Sequence, residues 1–449
     1  MKDLAIIGGG PAGYSAAALA AKSGLSTVLY EEKELGGVCL NEGCIPTKTL
    51  LYSAKLYEHA TLSGKYGVSA EGVTADFARI YARKDKVVKK LTGGVRVQMR
   101  DAGVEVVKAR ARLDGRADGG FRVTCGEDTE VFSRVLVCTG SSAAVPPIPG
   151  LAEAGEAVVT NREILTLAER PGRLVIIGGG VIGMEFASFF RSLGTEVTVV
   201  EMLPEILGGL DREIAAMLRA AYAKKGVVFH LGCRVTAIEG GTVVFADPSG
   251  AEQRVAGDRI LLSVGRRPNL QDVGLESVGV EVKRGIVVDG HMRTSVPGIW
   301  AAGDVTGFSL LAHTAVREAE VAVHDMLGVT DAMRYDAIPG VVYTNPEVAG
   351  VGVTEEQADG LAVARLPMAY AGRFVAENER GEGLCKVLYD PQTRLVKGVH
   401  MIGGPCSEII QGACIAITAG LTVDEIGRVV FPHPTVSEIL KETVSKQCQ

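Results

Sequence analysis

The sequence lacks the features that mark several classes of protein. No run of five like charges occurs, and 47 basic against 53 acidic side chains give a net charge of −6, so nucleic acid and anionic membranes are not expected partners. No uninterrupted apolar span of about 18 residues is present. The chain opens MKDLAIIGGG, without the charged and apolar regions of a signal peptide. We therefore expect no membrane span, no export and a cytoplasmic location.

Cysteine is also scarce. Nine cysteines among 449 residues are too few for a secreted disulfide scaffold, and no Cys or His near Cys39 and Cys44 completes the ligand spacing of a zinc site. A close pair is therefore a redox candidate, and Cys39 and Cys44 form one. Most of the others are expected to be small core residues: Cys125, Cys138, Cys233, Cys385, Cys406 and Cys414.

Glycine, in contrast, is abundant, with 57 of 449 residues, against an average of about 7 %. It follows no three-residue period, which excludes collagen. With 47 % apolar and 22 % charged residues the composition is that of a folded globular chain. The length predicts two to four domains.

Many of the glycines lie in a motif that occurs twice, in residues 4–31 and 174–201. Each copy reads as a β-branched strand, G-x-G-x-x-G, a helix of small and apolar residues, and a second strand that ends in Glu. The first glycine forms the turn, the second admits a pyrophosphate, and the third lets helix pack on strand. The helix N-terminus faces the phosphates, and the acid accepts from ribose hydroxyls. Two bound dinucleotides are predicted, through Gly8, Gly10, Gly13 and Glu31 in the first copy and Gly178, Gly180, Gly183 and Glu201 in the second.

The second copy indicates which nicotinamide cofactor is used. Glu201 would repel a 2′-phosphate, and the next residues, Met202, Leu203 and Pro204, include no arginine. NAD(H) is therefore favoured over NADP(H).

The two close cysteines lie in the segment LGGVCLNEGCIPTK. Five residues of regular helix rise about 7.5 Å, beyond the Cα separation of about 4.4–6.8 Å that a disulfide tolerates. The segment must therefore bend, and Gly43, with Gly36 and Gly37 before the pair, supplies that freedom. A helix N-terminus here would lower a thiol pKa.

This segment resembles the active-site segment of the flavin-dependent pyridine nucleotide–disulfide oxidoreductases, and within that family it is most similar to the dihydrolipoamide dehydrogenases. VLVCTGSSAAVPPIPG, LLSVGRRPN, IWAAGDVTG, VVYTNPEVAGVG and HPTVSE extend the resemblance over essentially the whole chain. The resemblance implies an α/β protein with two Rossmann-like dinucleotide-binding domains and a C-terminal α+β dimerisation domain. The implied boundaries are 1–142 and 263–335 for FAD, 143–262 for NAD and 336–449 for the dimer interface.

The resemblance also implies an activity: oxidation of protein-bound dihydrolipoamide through a disulfide and FAD, with reduction of NAD⁺, in a homodimer. The partner would be the lipoyl carrier domain of a 2-oxo acid dehydrogenase or glycine cleavage complex. Cys39 would be the interchange thiol, and Cys44 would face the flavin. His433 precedes a proline and is expected in a loop; the family supplies this base from the partner subunit, with Glu438 orienting its ring.

Further cofactor contacts are implied by the same resemblance. Lys48 would lie close to the flavin ring and pair with Glu185, and Asp304 would bind the sugar chain of the flavin. Helix-opening residues would place a helix dipole at the reduced ring. The complete set beyond the glycine loops and the thiols is Lys48, Ala111, Thr139, Gly140, Glu185, Gly265, Asp304, Leu311, Ala312 and His313.

Three alternatives stay open. A glutathione or trypanothione reductase would need NADPH, which Glu201 disfavours, and a mercuric reductase would have vicinal cysteines at its end, where this chain reads SKQCQ. A non-catalytic flavin redox sensor would leave the two cysteines and the His-Glu pair unexplained. The chain departs from the family pattern at Val38, Glu42 and Phe431.

The pattern also predicts individual elements. We expect a helix over 74–100 whose basic stretch, 83–90, is a solvated face, and short strands over 104–137. A sheet with helices follows from about 336, with one helix at Cys406–Ala419 and a final helix from Thr435.

Overall fold

The computed structural model describes residues 1–379 and 381–446. The helices are α1 (Pro11–Lys22), α2 (Gly37–Glu42), α3 (Cys44–Thr61), α4 (Phe77–Asp101), α5 (Val181–Ser192), α6 (Arg212–Lys224), α7 (Ala312–Met326), α8 (Gly372–Asn378), α9 (Cys406–Ala419), α10 (Val423–Arg428) and α11 (Glu438–Ser445).

The strands of the first half of the chain are β1 (Lys2–Ile7), β2 (Thr27–Tyr30), β3 (Glu105–Val107), β4 (Ala111–Ala117), β5 (Gly120–Cys125), β6 (Asp128–Val137), β7 (Ser141–Ala143), β8 (Val158–Val159), β9 (Arg173–Ile177) and β10 (Glu196–Val200). Those of the second half are β11 (Val228–His230), β12 (Arg234–Glu239), β13 (Thr242–Ala246), β14 (Glu252–Ala256), β15 (Arg259–Leu262), β16 (Arg266–Pro268), β17 (Ile299–Ala301), β18 (Gly340–Val342), β19 (Val348–Gly352), β20 (Ala362–Pro367), β21 (Leu384–Tyr389) and β22 (Val396–Ile402).

The chain divides into two compact units. The first contains Met1–Thr49, Ala78–Ala144 and Gly265–Arg334, and the second contains the remaining described residues. Three segments of the first unit and three of the second alternate along the sequence, so the chain leaves each unit and returns to it.

The first unit contains a seven-stranded sheet. Its order is β3-β2-β1-β6-β5-β4, with β17 also paired to β6. Strand β1 pairs parallel with β2 and β6, β2 pairs parallel with β3, and β17 pairs parallel with β6, whereas the pairs β4–β5 and β5–β6 are antiparallel. The apolar run at the end of β1 is buried because a parallel strand is covered on both faces. Helix α1 is rich in buried alanines, and it packs closely on α7.

The second unit contains a parallel sheet of order β11-β10-β9-β15-β8. An antiparallel three-stranded sheet, β12-β13-β14, joins its core through buried side chains such as Ile238 and Phe245. Strand β9 is followed by α5 and β10, in the same order as β1, α1 and β2 of the first unit. The predicted duplication is therefore a duplication of structure.

The C-terminal part of the second unit is an antiparallel sheet of order β18-β19-β22-β21-β20 with helices. Its core contains alternate residues of β21 and β22 and one side of α9 and α11. The predicted fold class is thus confirmed: α/β, with two Rossmann-like units and a C-terminal α+β domain. The proposed domain boundaries stay a prediction.

Several element predictions can be compared directly. The helix Cys406–Ala419 has the predicted bounds, and the helix expected over 74–100 is α4, Phe77–Asp101. The final helix begins at Glu438, not at Thr435, because the Thr435 N–H donates to the Glu438 carboxylate at 2.8 Å and so belongs to the turn before the helix.

The basic stretch of α4 is not uniformly solvated. The Lys84 side chain is only 6 % exposed, and its ammonium pairs with Asp85 at 2.7 Å and lies 5.1 Å from the centre of the Tyr81 ring. The prediction was therefore wrong for Lys84, whose apolar stem packs inward while its ammonium pairs with a neighbouring carboxylate.

Among the helices of the described residues, none combines the length and the apolar character of a membrane span.

Of the six cysteines expected in cores, four are buried, whereas Cys125 and Cys414 are half-buried. Burial raises the pKa of the Cys414 thiol to about 11. Cys448 lies outside the described residues.

Candidate functional site

The two glycine loops, residues 8–13 and 178–183, have nearly the same geometry. Gly8 has φ +108° and Gly178 has φ +102°, in the region that side chains rarely adopt. A Cβ on Gly13 would lie 1.8 Å from the carbonyl oxygen of Gly8, and one on Gly183 would lie 2.1 Å from that of Gly178. The third glycine of each loop is therefore required for the helix to approach the strand.

The middle positions of the loops have free space. In the described residues no atom lies within 4 Å of a Cβ built on Gly180, and on Gly10 the nearest is the Gly37 Cα at 3.8 Å. Gly10 and Gly180 are the N-caps of α1 and α5, and among the described residues neither helix end has a side-chain cap. Open backbone at an uncapped helix N-terminus is what a pyrophosphate requires, so both loops fit a dinucleotide.

The two acids also have matching contacts. The Glu31 carboxylate accepts from the Gly9 N–H at 2.8 Å and from the Lys33 N–H at 2.7 Å. The Glu201 carboxylate accepts from the Gly179 N–H at 2.6 Å and the Leu203 N–H at 2.7 Å. Each oxygen keeps a further lone pair for a ribose hydroxyl. Burial raises the pKa of Glu31. Each acid therefore fixes its glycine loop, a role that the sequence did not reveal.

The two cysteines lie on either side of a helix break. Helix α2 ends at Glu42, Gly43 leaves the helical region with φ −148° and ψ −108°, and α3 begins at Cys44. The bend predicted from the spacing is confirmed. Gly36 and Gly37, just before the pair, have φ +100° and +58°.

The thiols of Cys39 and Cys44 are hydrogen-bonded to each other. This hydrogen bond, burial and the negative charge of Cys44 all raise the pKa of Cys39, whereas Lys48 lowers it. The balance of these effects favours the protonated form of Cys39. Tyr14 lies close by on α1: burial raises its pKa, and the two cysteines raise it further.

A residue between the thiols orients this segment. The Asn41 side-chain amide donates to the carbonyl oxygens of Leu35 at 3.1 Å and Gly37 at 2.9 Å, and its own oxygen accepts from Thr92 at 3.1 Å. Sequence reasoning missed this residue. Its only signal was an amide side chain inside a short helix that begins after two glycines.

Asp304 lies in a polar cluster. Its carboxylate accepts from the Ser141 hydroxyl, and Arg266 lies 3.9 Å from the carboxylate and donates to the same hydroxyl at 2.7 Å. Burial raises the pKa of Asp304, against the opposing effects of Ser141 and Arg266. The Gly303 N–H donates to the buried Glu318 at 2.6 Å. The role of Asp304 in binding a flavin stays a prediction.

The other predicted positions of the first unit are found on nearby elements. Helix α7 begins at Ala312 with Leu311 as its N-cap, and His313 follows in its first turn, as predicted. The Thr139 hydroxyl donates to the Asn269 carbonyl at 2.7 Å, next to Gly140. The Gly265 carbonyl accepts from the Ala144 N–H where β7 pairs with β16, and Ala111 is buried in β4.

His433 and Glu438 are in contact in the second unit. The Nδ1 atom of His433 lies 2.9 Å from a Glu438 carboxylate oxygen, and the His433 side chain is 77 % exposed. The Thr435 N–H and His433 lower the pKa of Glu438. The ring is thus held on one side and open on the other. Glu185 is buried on α5 and accepts from the Tyr343 N–H at 3.1 Å; its pairing with Lys48 stays a prediction.

Among the described residues, no group of three or more His, Cys, Asp or Glu side chains could hold a metal ion.

Two models of protein families match most of this chain. The model of the pyridine nucleotide-disulphide oxidoreductases matches residues 2–319, and the dimerisation domain of the same oxidoreductases matches residues 338–444. The chain belongs to this family.

Individual members of the family are similar over their full length. Dihydrolipoyl dehydrogenase 3 of Pseudomonas putida is 38 % identical over 454 residues, which cover 98 % of this chain and 97 % of that protein. Dihydrolipoyl dehydrogenase of Thermus scotoductus is 39 % identical over 452 residues, covering 98 % and 96 %.

Solved structures of the family are similar as well. LpdA of Mycobacterium tuberculosis superposes with a TM-score of 0.90 at 27 % identity, over 100 % of both chains. The HOCl-induced flavoprotein disulfide reductase RclA of Escherichia coli, in a Cu(II) complex, superposes with a TM-score of 0.87 at 29 % identity, over 99 % of both.

Proposed function

We propose that this chain is a dihydrolipoyl dehydrogenase, which oxidises dihydrolipoamide and reduces NAD⁺ to NADH. The observation that carries the proposal is the contact between the thiols of Cys39 and Cys44 at the α2–α3 break. The segment that holds them is itself bound to the first glycine loop, because the Gly36 N–H donates to the Gly9 carbonyl at 2.8 Å. A redox pair fixed beside a dinucleotide loop can exchange electrons with a flavin.

In the proposed reaction the cysteine pair starts as a disulfide. One sulfur of dihydrolipoamide, as a thiolate, attacks Cys39, and Cys44 leaves as a thiolate. The second substrate sulfur then displaces Cys39, so lipoamide is released with a new S–S bond and the protein pair has gained two electrons. The hydrogen bond to Cys44 and burial raise the pKa of Cys39, which favours protonation of the Cys39 sulfur once the pair is reduced.

His433 is the proposed base for the substrate thiol. Its Nδ1 atom faces Glu438, which leaves Nε2 to accept the proton. The nearby carboxylate stabilises the imidazolium that forms, as in triads of this type. The dimerisation domain supports a homodimer, and we propose that the partner subunit's His433 serves the cysteines of each protomer.

The two dinucleotide loops are proposed to hold FAD at residues 8–13 and NAD at residues 178–183. FAD, when bound, supplies the two-electron relay from the dithiol to NAD⁺. Lys48 is proposed to lie close to the flavin ring, and Asp304 to bind the flavin's sugar chain. Glu201 favours NAD because a carboxylate at that position repels a 2′-phosphate.

The expected partner is a lipoyl carrier domain of a 2-oxo acid dehydrogenase or glycine cleavage complex, in the cytoplasm. This assignment rests on the similarity to proteins named dihydrolipoyl dehydrogenase. The similarity to RclA supports a second candidate, a flavin disulfide reductase with another acceptor.

Anaerobic turnover distinguishes these candidates. The flavin-loaded protein is assayed with dihydrolipoamide and NAD⁺, with glutathione disulfide and NADPH, and with mercuric ion and NADPH. Turnover of the first pair is expected; activity with either of the others alone would contradict the proposal. His433→Ala should abolish most dihydrolipoamide turnover and leave NADH reduction of the flavin largely intact.

A further inference from the structure

The two glycine loops share a feature beyond the glycine motif. After each acid the chain returns to the middle of its loop: the Gly36 N–H donates to the Gly9 carbonyl at 2.8 Å, and the Leu207 N–H donates to the Gly179 carbonyl at 2.9 Å. We call residues 32–37 and 202–211 the first and second return segments. The first return segment leads directly into the segment that contains Cys39 and Cys44. A return segment can therefore be part of a functional site.

The second return segment covers its loop closely. A Cβ on Gly179 would lie 2.9 Å from the Ile206 Cγ2 atom, and a Cβ on Gly9 would lie 2.9 Å from the Leu35 Cδ2 atom of the first segment. An apolar side chain thus packs against Gly9 in the first copy and against Gly179 in the second. Ile206 therefore lies against the residue next to Gly180, whose open backbone would face the pyrophosphate.

The second return segment has an unfavourable backbone at its contact point. Leu207 has φ +54°, although it is not a glycine, and its side chain is buried, with 2 % exposed. A leucine keeps this conformation only where its surroundings hold it there. The first return segment uses glycine at the matching contact, Gly36 with φ +100°, and so needs no such support.

The contacts that hold Leu207 in this conformation lead to Asp211, four residues further along the chain. This residue is fully buried and caps α6, where its carboxylate accepts from the Ile214 N–H at 3.3 Å. Lys386 donates to both carboxylate oxygens, at 2.8 and 3.0 Å. The Leu210 N–H donates to the Leu207 carbonyl at 3.0 Å, so the strained residue is tied to the segment that Asp211 ends.

Lys386 comes from the middle of β21 in the C-terminal sheet, and its side chain is 0 % exposed. Its ammonium also lies 2.7 Å from Glu213 and 2.7 Å from Glu355. Three carboxylates hold the buried Lys386 ammonium in place, and the loss of Lys386 would leave the buried Asp211 carboxylate without its ion-pair partner. The segment is therefore anchored by a sheet that contributes no residue to the glycine loop.

We propose that Lys386 is a positioning residue for the nicotinamide dinucleotide. It holds Asp211, Asp211 ends the second return segment, and that segment fixes the Gly179 carbonyl through Leu207. The inference rests on the proposed function, because it requires the second glycine loop to bind NAD.

The test compares NADH binding in variants of the flavin-loaded protein. Lys386→Met combined with Asp211→Asn removes both charges and keeps an oxygen that can cap α6. The matched control is Arg394→Met with Asp424→Asn, which removes an ion pair of 2.8 Å in the same C-terminal domain. We expect the Kd for NADH to rise about tenfold in the first variant, the size of typical indirect couplings. In the control it should stay within about twofold.

A second measurement separates positioning from general destabilisation. Reduction of the flavin by dihydrolipoamide does not use the second loop, so its rate should stay within about twofold in both double variants. A fall in thermal midpoint with an unchanged Kd for NADH would overturn the inference and assign Lys386 a structural role only. If the wild type does not bind NADH, the proposed function itself fails, and the inference fails with it.

A third variant acts at the other end of the segment. Leu207→Gly keeps the N–H donor but removes the buried side chain and lets the backbone move, as glycine adopts φ +54° without strain. If the Lys386 double variant does not fold, this variant decides the question. A Kd for NADH raised about fivefold supports the inference, and a Kd equal to that of the wild type contradicts it.

Discussion

The free space at Gly180 leads to a sharp prediction, because it separates binding from folding. Gly180 has φ −71° and ψ −174°, a conformation that alanine adopts freely. In the described residues no atom lies within 4 Å of the added Cβ. Gly180→Ala should therefore fold normally, and its free energy of unfolding should stay equal or rise by about 0.4–1 kcal/mol through the unfolded chain.

Binding of NADH should respond differently. The new methyl group occupies the space through which the pyrophosphate would approach the helix N-terminus. Overpacking of one methyl group costs about 1–3 kcal/mol, which corresponds to a Kd raised roughly 5- to 150-fold. The oxidation of dihydrolipoamide by the bound flavin should be unchanged, because that step does not require the second loop.

Gly183→Ala is the matched control. A Cβ there would lie 2.1 Å from the Gly178 carbonyl oxygen and 2.9 Å from the Ser263 hydroxyl, so α5 must move away from the strand. The Ser263 hydroxyl donates to that carbonyl at 2.8 Å, and this hydrogen bond is worth about 1 kcal/mol. This variant should lose thermal stability and NADH affinity together.

Thermal melts and NADH titrations of both variants test the argument. If Gly180→Ala binds NADH as the wild type does, the second glycine does not face the pyrophosphate and the fit of the loop is wrong. If Gly180→Ala loses as much stability as Gly183→Ala, the space seen at Gly180 does not exist in the folded protein.

Three further predictions concern Glu438 and Asn41. Glu438→Gln removes the anion at Nδ1 of His433 and should lower dihydrolipoamide turnover up to about 10²-fold, while NADH reduction of the flavin stays the same; full turnover would exclude an orienting role. The Thr435 N–H and His433 hold the pKa of Glu438 below its ordinary value of 4.5, so its carboxylate is charged at neutral pH. The contact between Glu438 and His433 should be lost only as the pH falls through this lowered pKa. A carboxyl titration followed by NMR should find the lowered pKa. Asn41→Ala removes the donor to the Leu35 and Gly37 carbonyls, and should speed alkylation of Cys39 in the reduced protein, whereas an unchanged rate would show that Asn41 does not hold the segment.

Much of the fold could be predicted because its signals are local. A continuous apolar strand, a glycine turn and a helix of small residues specify a βαβ unit within about 30 residues, and the same pattern occurs twice. The break at Gly43 also followed from local geometry, since an unbroken helix would keep Cys39 and Cys44 too far apart. The final helix was misplaced by three residues because the Thr435 N–H finds the carboxylate of Glu438 outside the helix.

The contacts that orient the site could not be predicted from the sequence. The Arg266 and Ser141 side chains that surround Asp304 are separated by 125 positions, and Lys386 and Asp211 by 175. A lysine in a strand is ordinarily a solvated or edge residue, so the sequence pattern does not indicate that Lys386 is buried; the burial of Lys84 on its helix was missed for a similar reason. Such pairs depend on how strands are ordered in the sheets, and no local pattern records that order.

The two return segments differ in a way that lets one motif serve two purposes. In both copies an apolar side chain packs against the second residue of the loop, Gly9 or Gly179, and a backbone N–H donates to its carbonyl. The backbone next to the phosphate-facing glycine is therefore held in the same way. After that contact the copies differ. The first continues through Gly36 and Gly37 into the helix that carries Cys39, and the reactive thiol is thereby set at a constant distance from its loop. The second continues through Leu207 to Asp211 and a buried ion pair, which supplies rigidity without a reactive group. A flavin that must receive electrons from a thiol needs the first arrangement, whereas a nicotinamide that binds and leaves in each turnover needs only the second.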